Sequence, residues 1–216
     1  MRAVSGHPEE ELLYGGITNA GLVSRIGDTV RRPQRPTSPA THALLGHLER
    51  VGFEGAPRLL GVDDRSREVR SFVPGEAAIA PYAAWALSDE ALVSVAQLLR
   101  RYHDAVDSFD ATSHDWPQSV PAAFRGSLIC HNDPNLENVI FSGDRAVALI
   151  DFDLASPGSA VWDVACDARL WAPLRDESDM PGAVARPVAR PPAHVRGRLR
   201  PAAARPRARA CPRLVL

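Results

Sequence analysis

Acidic and amide side chains are concentrated between residues 128 and 153, where short apolar segments separate them. His131, Asp133 and Asn138 have the spacing H-x-D-x-x-x-x-N, and the apolar run of residues 146–150 ends at Asp151. Phosphoryl transfer needs a carboxylate that orients the attacking hydroxyl and accepts its proton, and an amide and a carboxylate that hold Mg²⁺ on the nucleotide phosphates. The pattern therefore predicts Asp133 as the catalytic base and Asn138 and Asp151 as metal ligands.

A simpler interpretation is that these residues only form the turns of two surface hairpins, as Asn and Asp often do. Turn formation accounts for residues 133–135 and for the pair Gly143 and Asp144. It does not account for an acid at the end of an apolar strand, nor for the spacing to Asn138. We therefore favour the catalytic interpretation.

The order of these motifs resembles the catalytic core of protein-kinase-like phosphotransferases, in which H-R-D-x-x-x-x-N precedes D-F-G. Here Asn132 stands in place of the arginine, and Asp153 in place of the glycine. The sequences SPG and WDVA follow downstream. With these variations the segment resembles the aminoglycoside phosphotransferase family of small-molecule kinases, which is similar to choline kinase.

The resemblance implies an α+β, two-lobed protein-kinase-like fold, with an antiparallel-sheet N-terminal lobe and a mostly helical, truncated C-terminal lobe. Residues 1–73 would form the nucleotide-binding lobe, residues 74–179 the hinge and partial catalytic lobe, and residues 180–216 a tail. The implied activity is Mg²⁺-dependent transfer of the γ-phosphoryl group of ATP or GTP to a hydroxyl of a small molecule. The acceptor and the choice of donor stay open.

Three further residues near the motif receive roles. We count His131 with the catalytic residues as the group that organises the loop, and we assign it no proton transfer. By resemblance, Asp163 braces the catalytic loop from the helix that follows it. Asp153 either adds a second carboxylate near the metal or caps the turn.

Upstream residues are expected to hold the nucleotide. In the first turn, glycines would let backbone N–H groups approach a phosphate, and two polar side chains would add donors. These residues are Gly15, Gly16, Thr18 and Asn19. By resemblance, Phe72 and Val73 lie in the hinge that holds the adenine.

A basic residue on the third strand reaches the nucleotide phosphates in the family, paired with an acid on the next helix. Arg31 is our first choice and Arg32 the alternate, because strand alternation points only one of them inward. The helix predicted over residues 40–51 has no acid at the expected place, which holds Thr41 and His42. The arginine is therefore expected to lack its usual partner. His42 could substitute for the acid, but we favour the interpretation that it is an ordinary surface histidine.

The elements that position these residues follow from periodicity and turn signals. Two or three antiparallel strands are predicted from residue 11 onward, and a hairpin over residues 56–62 and 68–73. Ser88 begins a helix that runs to about residue 109 and should be the central helix of the larger lobe. We expect His103 on its apolar face to be a hydrogen-bonded core histidine.

Composition narrows the class of protein. No apolar run is long enough to span a membrane, and the N-terminus lacks the apolar core of a signal peptide. We therefore predict a cytoplasmic protein without a membrane partner. Three widely spaced cysteines indicate neither a disulfide framework nor a zinc site. The oligomeric state stays open.

The sequence changes character after Asp179, where nine arginines follow and no acid does, although the net charge of the whole chain is -1. Its proline density predicts no regular structure. One interpretation is a basic arm that binds nucleic acid. The other, which we favour, is translation in a shifted frame after about residue 181. The chain would then lack most of an acceptor lobe and would be either a phosphotransferase or an inactive nucleotide-binding remnant.

Overall fold

The computed structural model describes residues 9–13, 21–79 and 82–171, and the elements below lie in these ranges. The strands are β1 (Glu10–Leu12), β2 (Ser24–Ile26), β3 (Thr29–Pro33), β4 (Leu59–Val62), β5 (Arg67–Ser71), β6 (Glu76–Ala77), β7 (Leu128–Cys130), β8 (Val139–Ser142), β9 (Arg145–Leu149) and β10 (Ser156–Gly158). The α-helices are α1 (Ser38–Arg50), α2 (Asp89–Val106) and α3 (Ala160–Trp171). The predicted α+β class is confirmed. The arginine-rich tail lies outside the described residues.

A five-stranded antiparallel sheet in the order β1-β2-β3-β5-β4 forms the N-terminal part of the structure. Because side chains alternate between the two faces of a strand, Glu68 and Arg70 of β5 share one buried face. Arg32 of β3 lies directly opposite Glu68 in the register and is also buried. The inner face of this sheet is therefore charged, which is unusual for a buried surface and marks it as a site.

Helix α1 begins at Ser38, two residues before the predicted start, and has proline in its first turn. Its N-cap is Thr37, and the Ser38 hydroxyl accepts a hydrogen bond from the backbone N–H of Arg35 at 2.9 Å. Leu44, Leu45 and Leu48 bury the face that packs into the core. In the first turn, Ser38 contacts Glu68 on the charged face of the sheet.

Helix α2 is the central helix of the core. The Ser88 hydroxyl accepts a hydrogen bond from the backbone N–H of Ala91 at 3.0 Å, which caps the helix as predicted. The helix ends at Val106, three residues earlier than predicted. Its fully buried Tyr102 packs on Phe152 with ring centroids 5.8 Å apart. This packing fixes α2 against the loop that follows β9.

Two small antiparallel sheets carry the chemical loops. Strands β6, β8 and β9 form one sheet, and β7 pairs with β10 in the other. The loop after β7 holds residues 131–138, and the loop after β9 holds residues 151–153. The backbone N–H of Ile150 donates to the carbonyl of Asn138 at 2.9 Å, so the two loops are joined. No helix in the described ranges is long and apolar enough to cross a membrane.

Candidate active site

Asp163 of α3 holds the start of the catalytic loop. Its buried carboxylate accepts hydrogen bonds from the backbone N–H groups of His131, at 3.0 Å, and Asn132, at 2.8 Å. The same carboxylate lies 2.8 Å from Nε2 of His103 on α2. Asp163 thus makes the contacts expected of a brace, and His103 is the hydrogen-bonded core histidine that the sequence predicts.

His131 is fully buried, and its contacts determine which ring nitrogen carries the proton. Nε2 lies 3.0 Å from the carbonyl oxygen of Ile150, which only accepts, so Nε2 is the donor. Nδ1 is then the acceptor for the backbone N–H of Asp133, 3.3 Å away. Burial lowers the pKa of His131, against the charges of nearby carboxylates. A neutral, enclosed ring fits the loop-organising role and no proton transfer.

Asn132 connects the catalytic loop to the loop after β9, which sequence reasoning missed. Its φ of 68° lies in the left-handed region, which Asn tolerates better than most residues. Its Nδ2 donates to the carbonyl of Leu154 at 2.7 Å and to the hydroxyl of Ser156 at 3.0 Å. Its Oδ1 accepts from Nε1 of Trp162 at 2.9 Å. An arginine here would lose the acceptor for Trp162.

Asp133 and Asn138 face each other across the turn. Nδ2 of Asn138 donates to Oδ2 of Asp133 at 2.9 Å and to its backbone carbonyl at 3.0 Å. The amide oxygen of Asn138 is then the atom that can serve a cation. Burial raises the pKa of the Asp133 carboxyl and the charge of Asp151 acts in the same direction, against hydrogen bonds from Asn135 and Asn138. Asp133 is therefore hydrogen-bonded to Asn138 and close enough to Asp151 for the charge of Asp151 to affect its pKa.

Asp151 begins the second loop in a left-handed conformation, with φ 59° and ψ 63°. A non-glycine residue in this region is uncommon and is often found at functional sites. The Oδ1 atom of Asp151 lies 3.1 Å from a guanidinium nitrogen of Arg32. The carboxylate predicted to bind a metal is therefore already paired with a positive charge.

Arg32, and not Arg31, is the arginine of β3 that faces this site, so the first choice made from the sequence is wrong about orientation. Arg31 points to the other face, where it donates to Oγ1 of Thr29 at 2.6 Å and lies 3.7 Å from Asp63. Arg32 is 6% exposed and also pairs with Asp153 at 2.5 Å. Alternation along β3 permits one inward arginine, and burial against acids selects Arg32.

The partner that the sequence did not supply on α1 comes from strand β5. The Glu68 carboxylate is 1% exposed, and its Oε2 lies 3.7 Å from Nε of Arg32 and 2.6 Å from Arg70. From α1, the Ser38 hydroxyl donates to Oε1, and Nε2 of His42 lies 3.0 Å from the same oxygen. His42 therefore contacts the acid and does not replace it.

These contacts keep Glu68 charged and surround Arg32 with acids. Burial raises the pKa of Glu68, but the charge of Arg70 and the hydrogen bond from Ser38 outweigh it and lower that pKa overall. Burial lowers the pKa of Arg32, but Asp151, Asp153 and Glu68 together raise it. Asp153 is also 2.6 Å from Nε of Arg35. The structure thus places Asp153 in ion pairs at the edge of the site.

A cleft of about 370 Å³ opens between the sheet and the two loops. Its walls combine apolar residues with the charged groups above. Phe72, Val73, Arg32, Asn138 and Asp151 all line it. The structure therefore brings the predicted hinge residues, the alternate arginine and both predicted metal ligands to one cavity. Arg31 is not among its lining residues in the described part of the chain.

Gly15, Gly16, Thr18 and Asn19 lie outside the described residues. The residues on either side of that segment do reach the cleft: Leu13 and Val23 both line it. The backbone N–H of Leu13 donates to the carbonyl of Val23 at 2.9 Å. The phosphate-binding turn stays a prediction.

The oxygen atoms of Asn138 and Asp151 suit a hard cation that takes most of its ligands from phosphates and water. No cluster of three or more His, Cys, Asp or Glu residues capable of holding a metal occurs among the residues the structure describes. One carboxylate and one amide oxygen at the cleft match Mg²⁺, which uses one or two carboxylates and fills its octahedron with phosphates and water. In this structure the Asp151 carboxylate is paired with Arg32 at 3.1 Å.

Comparison with known proteins agrees with this geometry. Residues 104–198 match the family model of the phosphotransferase enzyme family (APH). The structural match to the aminoglycoside-3'-phosphotransferase of type VIII covers 85% of this chain and 85% of that chain, with a TM-score of 0.53 at 19% identity. The resemblance to the aminoglycoside phosphotransferase family is confirmed. The predicted kinase-like fold is confirmed with it.

Two further proteins show how much of this chain is matched. APH(3'')-Id from Streptomyces rimosus, in complex with ADP and streptomycin, has a TM-score of 0.53 at 16% identity over 78% of this chain and 81% of that chain. The trifolitoxin immunity protein of Rhizobium leguminosarum bv. trifolii is 34% identical over 171 residues, or 77% of this chain. This chain spans 63% of that protein's length. The family match extends past Asp179 into the arginine-rich segment, and the predicted boundaries at residues 74 and 180 remain predictions.

Proposed function

We propose that the chain is a phosphotransferase that moves the γ-phosphoryl group of ATP or GTP to a hydroxyl of a small molecule with the help of Mg²⁺. One observation carries the proposal: Asn138 and Asp151 line the same cleft as Phe72 and Val73, and Nδ2 of Asn138 donates to the Asp133 carboxylate at 2.9 Å. Turn formation alone gives no reason for this convergence. The acceptor and the choice between ATP and GTP stay open.

Each residue has a role that its contacts support. The Asp133 carboxylate orients the acceptor hydroxyl and takes its proton, while Asn138 holds the carboxylate through Nδ2. Oδ1 of Asn138 and the Asp151 carboxylate would bind Mg²⁺, which when bound neutralises the developing charge on the phosphates. Asp163 and His131 fix the loop so that these groups keep their separation.

The cleft also offers a place for the base and the phosphates. Val73, Ile140 and Ile150 give it apolar walls against which a purine can pack. The Phe72 ring adds to this apolar wall, and the guanidinium of Arg25 lies 3.7 Å from the centroid of that ring. Arg32 provides the positive charge at the end near Asp151. A nucleotide lying from the hinge toward Asp151 would use both ends.

Two solved structures of similar fold contain a nucleotide. APH(3'')-Id was solved with ADP and streptomycin, and the structure of a streptomycin-ATP-APH(2")-IIa ternary complex has a TM-score of 0.53 to this chain at 15% identity. These likenesses show the fold alone at such identities, so the nucleotide is proposed for this chain on its own residues. The cytoplasmic location stays a prediction.

Thermal denaturation with and without Mg·ATP or Mg·GTP tests the binding step. We expect the wild-type chain to be stabilised by one of the two and the shift to be lost in Asp151→Ala, because that variant lacks a metal ligand. Asp144→Ala, an exposed acid in a turn, is the matched control and should keep the shift. A wild-type chain that neither nucleotide stabilises would refute the proposal.

Phosphate release separates an active enzyme from an inactive nucleotide-binding remnant. We expect slow release of phosphate from the stabilising nucleotide, with water as acceptor, and a fall of about 100-fold or more in Asp133→Ala. The nucleotide Kd of that variant should stay within about threefold, since Asp133 serves the acceptor. Binding without any release, from either nucleotide, would identify the chain as a remnant.

A further inference from the structure

Two arginines in the cleft have nitrogen atoms that lack acceptors. Arg32 and Arg70 are 6% and 4% exposed, and both line the cleft. The Nε atom of each is buried without a hydrogen-bond partner among the described residues. Leaving a buried donor unpaired is costly, so such groups usually find a partner. An anionic ligand in the cleft would supply acceptors, and Oε2 of Glu68, itself buried without a hydrogen-bond partner among the described residues, lies 3.7 Å from Nε of Arg32.

Glu68 is the group that holds both arginines in place. Its Oε2 is 2.6 Å from Arg70 and 3.7 Å from Nε of Arg32. Its Oε1 is fixed by the Ser38 hydroxyl and by His42, both from α1. The helix that carries no acid at the expected place thus contributes two hydrogen-bonding side chains to an acid on the neighbouring strand.

Metal binding would change the balance among the partners of Arg32. Its three acidic neighbours are Asp151, Asp153 and Glu68. A divalent cation at Asp151 would compete with Arg32 for that carboxylate, and Asp153 is shared with Arg35. Glu68 lies on β5 and not in the loop after β9, so a cation at Asp151 would leave Glu68 available to Arg32.

We propose that Glu68 is the positioning residue for Arg32, directing its guanidinium to the nucleotide phosphates from strand β5 and not from the helix. The inference rests on the proposed function, since it assumes that the cleft binds a nucleotide. It makes Ser38 and His42 the supports of Glu68. The acid that α1 lacks is then replaced by Glu68 on β5, so the ion pair of the arginine is kept at a different place in the sequence.

Comparing a triphosphate with a nucleoside tests this role, because a nucleoside has no phosphates for Arg32 to contact. In Glu68→Gln, we expect the Kd of Mg·AMPPNP or Mg·GMPPNP to rise about 10- to 100-fold, from the loss of well-oriented charge-assisted bonds. The Kd of adenosine or guanosine should change less than about threefold. A purely structural role would weaken triphosphate and nucleoside binding together.

Matched variants separate positioning from general damage to the sheet. Asp63→Asn makes the same chemical change at an acid that pairs with Arg31 and Arg67 on the other face, and it should leave both Kd values unchanged. Glu68→Asp keeps the charge and should restore part of the triphosphate affinity. If Glu68→Gln fails to fold, Ser38→Ala removes one hydrogen bond to Glu68 and should weaken triphosphate binding about threefold or more.

A double-mutant cycle shows whether Glu68 acts through Arg32. Glu68→Gln should have little further effect on triphosphate Kd in an Arg32→Met background, because residues that act as a unit are not additive. Additive effects, or unchanged triphosphate binding in Glu68→Gln beside a wild type that binds, would overturn this inference alone. A wild type that binds no nucleotide would overturn the proposed function and this inference with it.

Discussion

Replacing Asp163 with asparagine would test how the catalytic loop is held. The wild-type carboxylate accepts from the backbone N–H of His131 at 3.0 Å and of Asn132 at 2.8 Å, and lies 2.8 Å from Nε2 of His103. Asparagine has nearly the same shape but only one acceptor oxygen. Whichever way its amide is turned, an NH₂ group faces a donor of the loop or of α2.

The cost follows from these contacts. Charge-assisted hydrogen bonds contribute about 1.5–3 kcal/mol each, and a buried N–H left without an acceptor costs about 1–3 kcal/mol. We take about 3 kcal/mol for Asp163→Asn, since one bond is lost and one donor is orphaned while the others persist. A protein of this size loses about 2–4 °C of Tm per kcal/mol, so the expected fall is about 6–12 °C.

The assay is circular dichroism melting of the wild-type protein and of Asp163→Asn. The Kd of the stabilising nucleotide is measured for both. Asp104→Asn is the matched control: it lies next to His103 in sequence and pairs with Arg100 at 3.0 Å on an exposed surface. Such surface pairs contribute about 0.5 kcal/mol or less, so its Tm should change by less than about 2 °C. A fall in Asp163→Asn no larger than in Asp104→Asn would refute the reasoning.

Three other predictions follow from the same contacts. Arg32→Met should weaken triphosphate binding at least about 10-fold while Arg31→Met leaves it unchanged, as calorimetry can show; equal losses would contradict the assignment of Arg32 to the cleft. Burial and the charge of Asp163 raise the pKa of Asp167 to about 7 from its ordinary 3.8. The folded chain thus binds the Asp167 proton more tightly than the unfolded chain does, and the stability that this proton contributes is lost as pH rises from about 4 to about 7. At pH 8 the wild-type protein would bury a charged carboxylate, so Asp167→Asn should have the higher Tm. A lower Tm than wild type would contradict the direction of this pKa shift. Gly75→Ala places a Cβ against the Phe141 carbonyl oxygen, whereas Gly61→Ala meets nothing within 4 Å. The two glycines have nearly equal φ, 139° and 137°, so urea unfolding should show about 1–3 kcal/mol more loss at Gly75, and equal losses would refute the clash.

The catalytic motif could be predicted because its information is local. Asp133 and Asn138 are five residues apart on one turn, and Asp151 ends a strand that pairs with the strand after Asn138. A short hairpin brings such residues together whatever the rest of the chain does. Motif spacing alone therefore singled out Asn138 and Asp151, which line one cleft, and Asp133, which is hydrogen-bonded to Asn138.

The ion pair of Arg32 could not be predicted in the same way. Arg32 and Glu68 lie opposite each other because β3 pairs with β5, and that register is a long-range property. The resemblance predicted an acid on α1, but Glu68 lies on strand β5. The period of two along β3 allowed either arginine to face inward until pairing placed Arg32 opposite Glu68.

The brace at Asp163 falls between these cases. Resemblance named the residue, but its partners on β7 and α2 depend on how α3 packs over both. Asn132 gave no such signal, since its role depends on Trp162 and on a backbone carbonyl in another loop. Contacts of this kind join segments that no sequence spacing relates.

The sequence alone identified the candidate catalytic groups: an acid, an amide and a second acid at fixed short spacings, which local turns and a hairpin keep close. The tertiary structure was needed to show which arginine of β3 faces them, which acid contacts that arginine, and that Asn138 and Asp151 share a cleft with the predicted hinge residues. The physical reason is that short-range geometry follows from covalent connectivity and hydrogen-bonded turns. Strand register and helix packing are instead fixed by burying the whole chain's apolar surface at once.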